Sequence, residues 1–155
     1  MENKNNLKKF GIPILAVALV GTGAFVMTKN SEYIDGTYRV ESDSYDNQGW
    51  KPFLEMTFKD GEIKDVVFDY TNQEDGRLKT SDDAYNNRML SIIGVNPRIY
   101  TREYAVEIIT KQSLEDFDGV SGATHSTAEL KVMAEEIFKN ALKGDTETKV
   151  IKVEV

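Results

Sequence analysis

The chain has 155 residues, no cysteine, one histidine and a formal net charge of −7. The lack of cysteine excludes disulfides, thiolate metal sites, iron–sulfur clusters, cysteine nucleophiles and a lipidated cysteine, and one histidine does not supply the usual ligands of zinc or haem. Because the first 29 residues hold four lysines and one glutamate, the rest carries −10, which disfavours nucleic acid and anionic lipid as partners.

The first element along the chain is an uncharged apolar run over Phe10–Met27. As a helix it would be about 27 Å long, close to the thickness of one hydrocarbon core. The lysines before it predict a cytoplasmic tail over 1–9, a transmembrane anchor over 10–28 and a linker over 29–34, with the following domain on the extracytoplasmic side of the cell membrane. The small residues at 22–24 leave a cleaved signal peptide as the alternative, and the domain is then secreted.

Four segments of the remaining chain have the composition or alternation of strands. Two of them flank Asp60-Gly61, which predicts a β-hairpin. The segment Asn72–Ser81 is polar and contains glycine, which predicts an exposed loop. The predicted strands are Gly36–Val40, Phe53–Lys59, Glu62–Tyr70 and Val150–Val155.

Two helices are predicted between the hairpin and residue 111. The first covers Asp82–Ile93 and is closed by Gly94, and the second begins with Asn96 as N-cap and Pro97 as first helical residue. A strand over 105–110 stays open as the alternative for part of the second, because β-branched residues are dense there. Their apolar positions are Tyr85, Met89, Ile92 and Ile93, then Tyr100, Tyr104, Ala105 and Ile108.

A third helix is predicted to begin just after Thr124. Ser126 with Glu129 three residues later has the capping-box pattern, so Ser126 is the predicted N-cap. Gly144 stands where a helix commonly ends. The predicted apolar face consists of Leu130, Met133, Ala134, Ile137, Phe138 and Ala141.

The segment directly before this helix combines small residues with hydroxyls. It reads Asp118-Gly119-Val120-Ser121-Gly122-Ala123-Thr124, followed by His125. Glycine adopts backbone angles closed to other residues, so a bend here can present amide groups to an anion. A phosphate on Thr124 would lie near the positive end of the following helix.

Two other interpretations fit the same segment. A turn that only caps a helix uses the same residue types, but it does not require Asp118, Ser121 and Thr124 in this register with the small residues. Residues 119–123 also fit the Gly-x-Ser-x-[Gly/Ala] pattern of a nucleophile elbow. In that fold the histidine comes much later, after an acid, whereas His125 follows at once.

The segment resembles the Asp-x-x-[Ser/Thr]-Gly-Ala-[Thr/Ser] signature of FMN-binding domains. In that family a flavin transferase esterifies the FMN phosphate to the last hydroxyl of the motif, and the resemblance implies that Asp118 and the small residues are recognised by that enzyme. His125 either contacts the phosphate or lies in a polar turn. The implied cofactor-binding residues are Thr124 as the covalent site, with Asp118, Ser121, Gly122, Ala123 and His125.

A wider resemblance covers most of residues 35–148. The run Tyr85-Asn86-Asn87-Arg88-Met89, the Asn96-Pro97 pair, the motif and the helix after it are similar to the repeat of flavin-bearing lipoproteins used in extracellular electron transfer by Gram-positive bacteria. The motif is also shared with the covalent-FMN subunits of sodium-pumping quinone reductases and related electron-transport complexes. The chain departs from those lipoproteins in having one copy of the domain and no lipidated cysteine.

Together the elements predict an α+β domain over 35–155, with a small antiparallel sheet packed against about three helices and preceded by one transmembrane helix. The resemblance implies an electron carrier more than a stand-alone enzyme, bearing covalent FMN and served by a flavin transferase and an unidentified membrane or extracellular redox partner. The alternative is an exported binding module on the same scaffold, with noncovalent flavin or no cofactor. The aromatic candidates for contact with a flavin ring are Trp50, Tyr70, Tyr85 and Tyr100, for which core packing is the ordinary role.

Overall fold

The computed structural model describes residues 33–155, so the predicted tail, the anchor and most of the linker lie outside the described residues. Within 33–155 no helix is both long and apolar enough to cross a membrane. The elements are β1 (Gly36–Ser42), β2 (Trp50–Lys59), β3 (Glu62–Asn72), a short 3-10 helix (Lys79–Ser81), α1 (Asp83–Ile93), α2 (Pro97–Lys111), α3 (Thr124–Lys143) and β4 (Lys149–Ile151).

The four strands form one sheet in the order β3-β2-β1-β4. The pairs β1–β2 and β2–β3 are antiparallel, whereas β4 lies parallel to β1. The prediction of an antiparallel sheet is therefore wrong in one pair, because β4 returns to the sheet after α3 instead of through a hairpin. The last strand is also shorter than predicted, since its pairing ends at Ile151, opposite the final residue of β1, Ser42.

The predicted hairpin is confirmed. Asp60 and Gly61 connect β2 to β3, and their φ angles of 55° and 73° are the pair of positive values that a tight two-residue hairpin turn requires. One face of this hairpin carries buried side chains that meet the helices, among them Leu54, Met56 and Phe68. The sheet therefore provides one wall of a single apolar core.

The second helix is confirmed in its capping and its buried face. The Asn96 side chain accepts a hydrogen bond from the amide of Ile99 at 3.0 Å, and Pro97 is the first helical residue. Tyr100, Tyr104 and Ile108 are buried, and the alternative strand is wrong because α2 continues to Lys111. α2 therefore places three side chains, each four residues after the one before, against β3.

The first helix has the predicted end and C-cap, with Gly94 at a φ of 74°, but it begins at Asp83 with Asp82 as N-cap, and its apolar positions do not form the buried face. Ile92 is 65 % exposed and Ile93 is 43 % exposed, while Asn86 is fully buried. The Asn86 amide donates to the carbonyls of Lys79, Thr80 and Asp82, at 2.8, 3.3 and 2.8 Å. α1 thus turns a polar side toward the 3-10 turn, a contact that apolar periodicity does not reveal.

The third helix is the central helix of the core. All six of its predicted apolar positions are buried, and Gly144 ends it at a φ of 69°. Its predicted N-cap is wrong, since the helix begins at Thr124 with Ala123 as N-cap. Ser126 is the third residue of the helix, and its side chain and that of Glu129 contact Tyr70 on β3.

The beginning of the described chain packs against the far end of α3. The amide of Ile34 donates to the carbonyl of Ala141 at 2.9 Å, and the hydroxyl of Tyr38 donates to the carbonyl of Ile34 at 2.7 Å. The ring of Tyr33 lies 5.8 Å from that of Phe138. The chain therefore reaches the sheet at the opposite end of α3 from Thr124.

Candidate functional site

The loop that leads into α3 depends on two glycines. Gly119 and Gly122 have φ angles of 75° and 85°. A Cβ atom on Gly119 would lie 2.4 Å from both Cγ2 and Oγ1 of Thr127, and one on Gly122 would lie 2.9 Å from Cγ1 of Val95. Both positions therefore need glycine for backbone angle and for space, as the small residues of the motif led us to expect.

A buried tyrosine fixes the start of α3. The Tyr104 hydroxyl lies 2.8 Å from the Thr127 hydroxyl and donates to the carbonyl of Ala123 at 3.1 Å. Thr127 Oγ1 also donates to that carbonyl, at 3.0 Å. Burial raises the pKa of Tyr104 to about 12, so its hydroxyl stays protonated near neutral pH.

No side chain caps the N-terminus of α3. The first amides of any helix lack partners within the helix, and together with the helix dipole they favour a negatively charged group. Thr124 is the first residue of α3 and is exposed. Its hydroxyl is thus reachable from solvent, beside amides that can share the charge of a phosphate.

The other predicted site residues lie around this hydroxyl. Asp118, Ser121 and Gly122 are exposed in the loop, whereas Ala123 is buried. His125 is exposed on the first turn of α3, and its Nε2 lies 3.3 Å from Oε1 of Glu129. The structure thus gathers the motif at one end of the molecule and shows that the contact of His125 is with a carboxylate.

A cleft of about 430 Å³ adjoins this end of α3. Its volume falls within the range of about 300–1,000 Å³ typical of small-molecule and cofactor sites. The lining combines three tyrosines, three other apolar side chains, several polar groups and the motif residues Gly122 and Ala123, whereas Thr124 lies between two lining residues in the chain but is not one of them. The lining residues are Asp46, Asn47, Gln48, Tyr70, Lys79, Tyr85, Met89, Ile93, Pro97, Tyr100, Gly122, Ala123, His125, Ser126 and Glu129.

Three of the four aromatic candidates line the cleft. Tyr70 and Tyr100 are buried and Tyr85 is half-buried, so their rings pack in the fold and also form part of the cleft surface. Trp50 does not line the cleft, but its ring stands edge-on to Tyr85 with centroids 5.9 Å apart. Trp50 therefore packs against a tyrosine of the cleft lining without reaching the cleft itself.

A hydrogen-bonded cluster forms the polar part of the cleft. The Tyr70 hydroxyl donates to Oε2 of Glu129 at 2.5 Å and lies 2.7 Å from the hydroxyl of Ser126. Burial raises the pKa of Glu129, and the Tyr70 hydrogen bond, His125 and Lys79 oppose that rise. The cluster joins β3 to the first two turns of α3 and places a carboxyl group at the cleft.

Lys79 is a cleft residue that the sequence prediction missed, since Asn72–Ser81 was expected to be an exposed loop. Its side chain is 7 % exposed, with Nζ 4.1 Å from the ring centroid of Tyr70 and 4.9 Å from that of Tyr85. Burial lowers the pKa of Lys79. A lysine between polar residues gives no sequence signal of burial, because the rings that surround it come from distant segments.

The sequence and the structure both match known proteins. The family described as FMN-binding domain matches residues 49–139. This chain belongs to the FMN-binding domain family. A 15 kDa lipoprotein of Treponema pallidum is 33 % identical over 141 residues, which are 91 % of this chain and 96 % of that protein. A crystal structure of a protein from Clostridium perfringens is 34 % identical, has a TM-score of 0.74, and covers 79 % of this chain and 99 % of that chain.

The cleft of this FMN-binding domain has the chemistry that a flavin needs. Tyrosine rings offer flat apolar surfaces, and Ser126 and Glu129 offer hydrogen-bonding groups at the same opening. The uncapped start of α3 next to the cleft can accept a phosphate. The predicted family is confirmed, the family match supports FMN as the cofactor, and the residues present fit FMN.

Proposed function

We propose that this chain is an extracytoplasmic electron carrier whose FMN is esterified through its phosphate to Thr124 by a flavin transferase. The observation that carries the proposal is an exposed hydroxyl on the first residue of an uncapped helix, at the edge of a cleft of cofactor size. In the esterification a phosphorus–oxygen bond forms between the FMN phosphate and the threonine oxygen, the pyrophosphate bond of a flavin adenine dinucleotide donor breaks, and AMP leaves while the hydroxyl proton passes to AMP or to solvent.

The surroundings of Thr124 support this attachment. The left-handed backbone at Gly119 and Gly122 bends the loop so that the hydroxyl stands at the helix end, where the dipole favours the phosphate charge. Asp118 and Ser121 are exposed, so a transferase can reach the residues that the family signature implies it recognises. We propose that His125, also exposed, lies beside the bound phosphate.

Bound FMN supplies the electron-transfer chemistry, and the protein supplies position and environment. Tyr70, Tyr85 and Tyr100 offer the ring a wall on the inner side of the cleft, and Met89 and Ile93 offer it an apolar rim. Ile93 is 43 % exposed, so the cleft is open to solvent and to a redox partner on that side. A carrier of this kind needs such access, whereas a stand-alone enzyme would also need a substrate site.

The proposed location rests on two observations. The related protein of Treponema pallidum is described as a lipoprotein, a description that suggests membrane attachment for that relative. This sequence contains no cysteine to carry a lipid, so we propose that the apolar segment over 10–28 anchors it instead. The redox partner is then a membrane or extracellular protein.

The test is coexpression of the full chain with a flavin transferase and an export system, followed by denaturation. Wild type should keep its flavin fluorescence and gain the mass of FMN minus water, and Thr124→Ser should keep both. Thr124→Ala should lose both, whereas the control Thr110→Ala removes an exposed hydroxyl that lies outside both the motif and the cleft and should keep them.

Three other results would contradict an ester on Thr124. Colour that is lost on denaturation of wild type would show noncovalent flavin in the same cleft and would refute the ester. A wild-type chain that stays unmodified and colourless in the presence of an active transferase would favour a binding module without cofactor. Retained flavin in Thr124→Ala would move the attachment to another hydroxyl.

A further inference from the structure

The cleft contains one buried positive charge. Among its lining residues in the described part of the chain, Lys79 is the only lysine or arginine. Its Nζ lies among three rings, at 4.1 Å from the centroid of Tyr70, 4.9 Å from Tyr85 and 5.4 Å from Trp50. Contacts with ring faces stabilise an ammonium group, but they do not neutralise its charge.

The carboxylates near Lys79 are engaged elsewhere. Asp69 accepts from the Thr80 hydroxyl at 2.5 Å, and Glu129 accepts from Tyr70 and lies near His125. Within residues 33–155, neither these nor the exposed Asp46 forms an ion pair with Lys79, although all three lie close enough to influence its pKa. A buried ammonium without an ion-pair partner is unfavourable, so a group that arrives in the cleft with negative charge would be stabilised there.

The position of Lys79 is fixed by its own backbone. The Lys79 carbonyl accepts from the buried amide of Asn86 at 2.8 Å. The next carbonyl, that of Thr80, accepts from Nε of Arg98 at 2.6 Å. The 3-10 turn is thus tied to α1, to α2 and, through Asp69, to β3, so the charge is held in place before any ligand binds.

We propose that Lys79 provides the positive charge that stabilises the electron-rich, reduced ring of the bound flavin. This inference rests on the proposed function. A flavin that takes two electrons and one proton from a reductant gains one negative charge on its ring, whereas the oxidised ring is neutral. An ammonium group in the cleft therefore favours the reduced ring over the oxidised ring, in opposition to the acidic charge of the whole domain.

The experiment is an anaerobic titration with dithionite of the full chain after loading with FMN. Lys79→Met removes the charge and keeps an unbranched side chain, and Lys79→Arg keeps the charge. The matched control is Lys131→Met, because Lys131 also lies over an aromatic ring, with its Nζ 5.7 Å from the centroid of Phe117, but it is exposed and does not line the cleft.

We expect Lys79→Met to lower the ratio of reduced to oxidised flavin at a fixed potential on the order of tenfold, which for a two-electron couple is about 30 mV more negative. Lys79→Arg and Lys131→Met should stay near wild type. An unchanged potential in Lys79→Met, or an equal shift in Lys131→Met, overturns the inference. So does a Lys79→Met variant that loses flavin while the flavin it keeps has the wild-type potential, since Lys79 would then bind the phosphate.

A second measurement separates this inference from the proposed function. Acetic anhydride should modify Lys79 more slowly in the loaded, reduced protein than in the loaded, oxidised protein, while Lys131 reacts equally in both. Equal rates at Lys79 overturn the role of its charge. Wild type that takes up no flavin is recognised before any titration, and in that case the proposed function fails and the inference fails with it.

Discussion

Replacement of Gly119 by alanine tests whether the loop before Thr124 is shaped as described. A Cβ atom there would lie 2.4 Å from two atoms of Thr127, in a backbone with a φ of 75°. The left-handed conformation costs a residue with a side chain about 1–2 kcal/mol. The overlap adds about 1–3 kcal/mol, as overpacking of a filled site generally does. The sum is a loss of about 2–5 kcal/mol.

Gly76 provides a matched control. Its φ is 72°, but a Cβ atom on it would meet nothing within 4 Å, so Gly76→Ala carries the backbone cost alone. At about 4 °C per kcal/mol for a domain of this size, thermal unfolding followed by circular dichroism should show a fall in Tm of about 8–20 °C for Gly119→Ala, against about 4–8 °C for Gly76→Ala.

Two results would contradict the close approach of Gly119 to Thr127. Equal losses of stability in Gly119→Ala and Gly76→Ala would mean that the close contact with Thr127 is absent in the folded protein. Thr127→Ala in the Gly119→Ala background removes both of the atoms that lie at 2.4 Å and should restore part of the difference. Failure of that restoration would place the strain elsewhere in the loop.

Two further predictions concern buried polar groups. Asn86→Ala should lower the free energy of unfolding, measured in urea, by about 2–3 kcal/mol because three carbonyls lose a hydrogen-bond donor. The control Asn87→Ala, at an exposed neighbour, should change it by less than about 0.5 kcal/mol. Similar losses in the two variants would refute the role of Asn86. Because burial raises the pKa of Glu129, the folded protein holds that proton more tightly, so its contribution to stability should fall as pH rises from about 4.3, the value for unfolded glutamate, through the higher folded value. Glu129→Gln should flatten this fall, and an unchanged pH profile would contradict the assignment.

The elements that the sequence predicts well are those set by local pattern. The six apolar positions of α3 repeat at the helical period and are all buried. Asp60-Gly61 and Gly94 mark a turn and a helix end through backbone angles that few other residues adopt. Gly119 and Gly122 also adopt such backbone angles, so the bend of the loop could be predicted from the sequence. Which residues of the loop bind the flavin stays a prediction.

The elements that the sequence predicts poorly are set by partners distant in the chain. Ser126 and Glu129 have the pattern of a local capping box, yet both contact Tyr70, 56 and 59 positions earlier. Lys79 and Asn86 are polar, and polar residues are ordinarily exposed. Their burial follows from the packing of the 3-10 turn, α1 and β3 together, and no spacing in one segment encodes it.

The hydrogen bond between Ile34 and Ala141 has a consequence for how the protein would stand on a membrane. Thr124 begins α3 and Ala141 lies in its last turn, so about 26 Å of helix separates Thr124 from the place where the chain joins the domain. If the proposed anchor precedes residue 33, the domain would be attached to the membrane at this end of α3, and the cleft at the other end would face away from the lipid. Electrons would then be exchanged with partners that arrive from the far side, and contact with those partners would not compete with the lipid surface for the same part of the molecule.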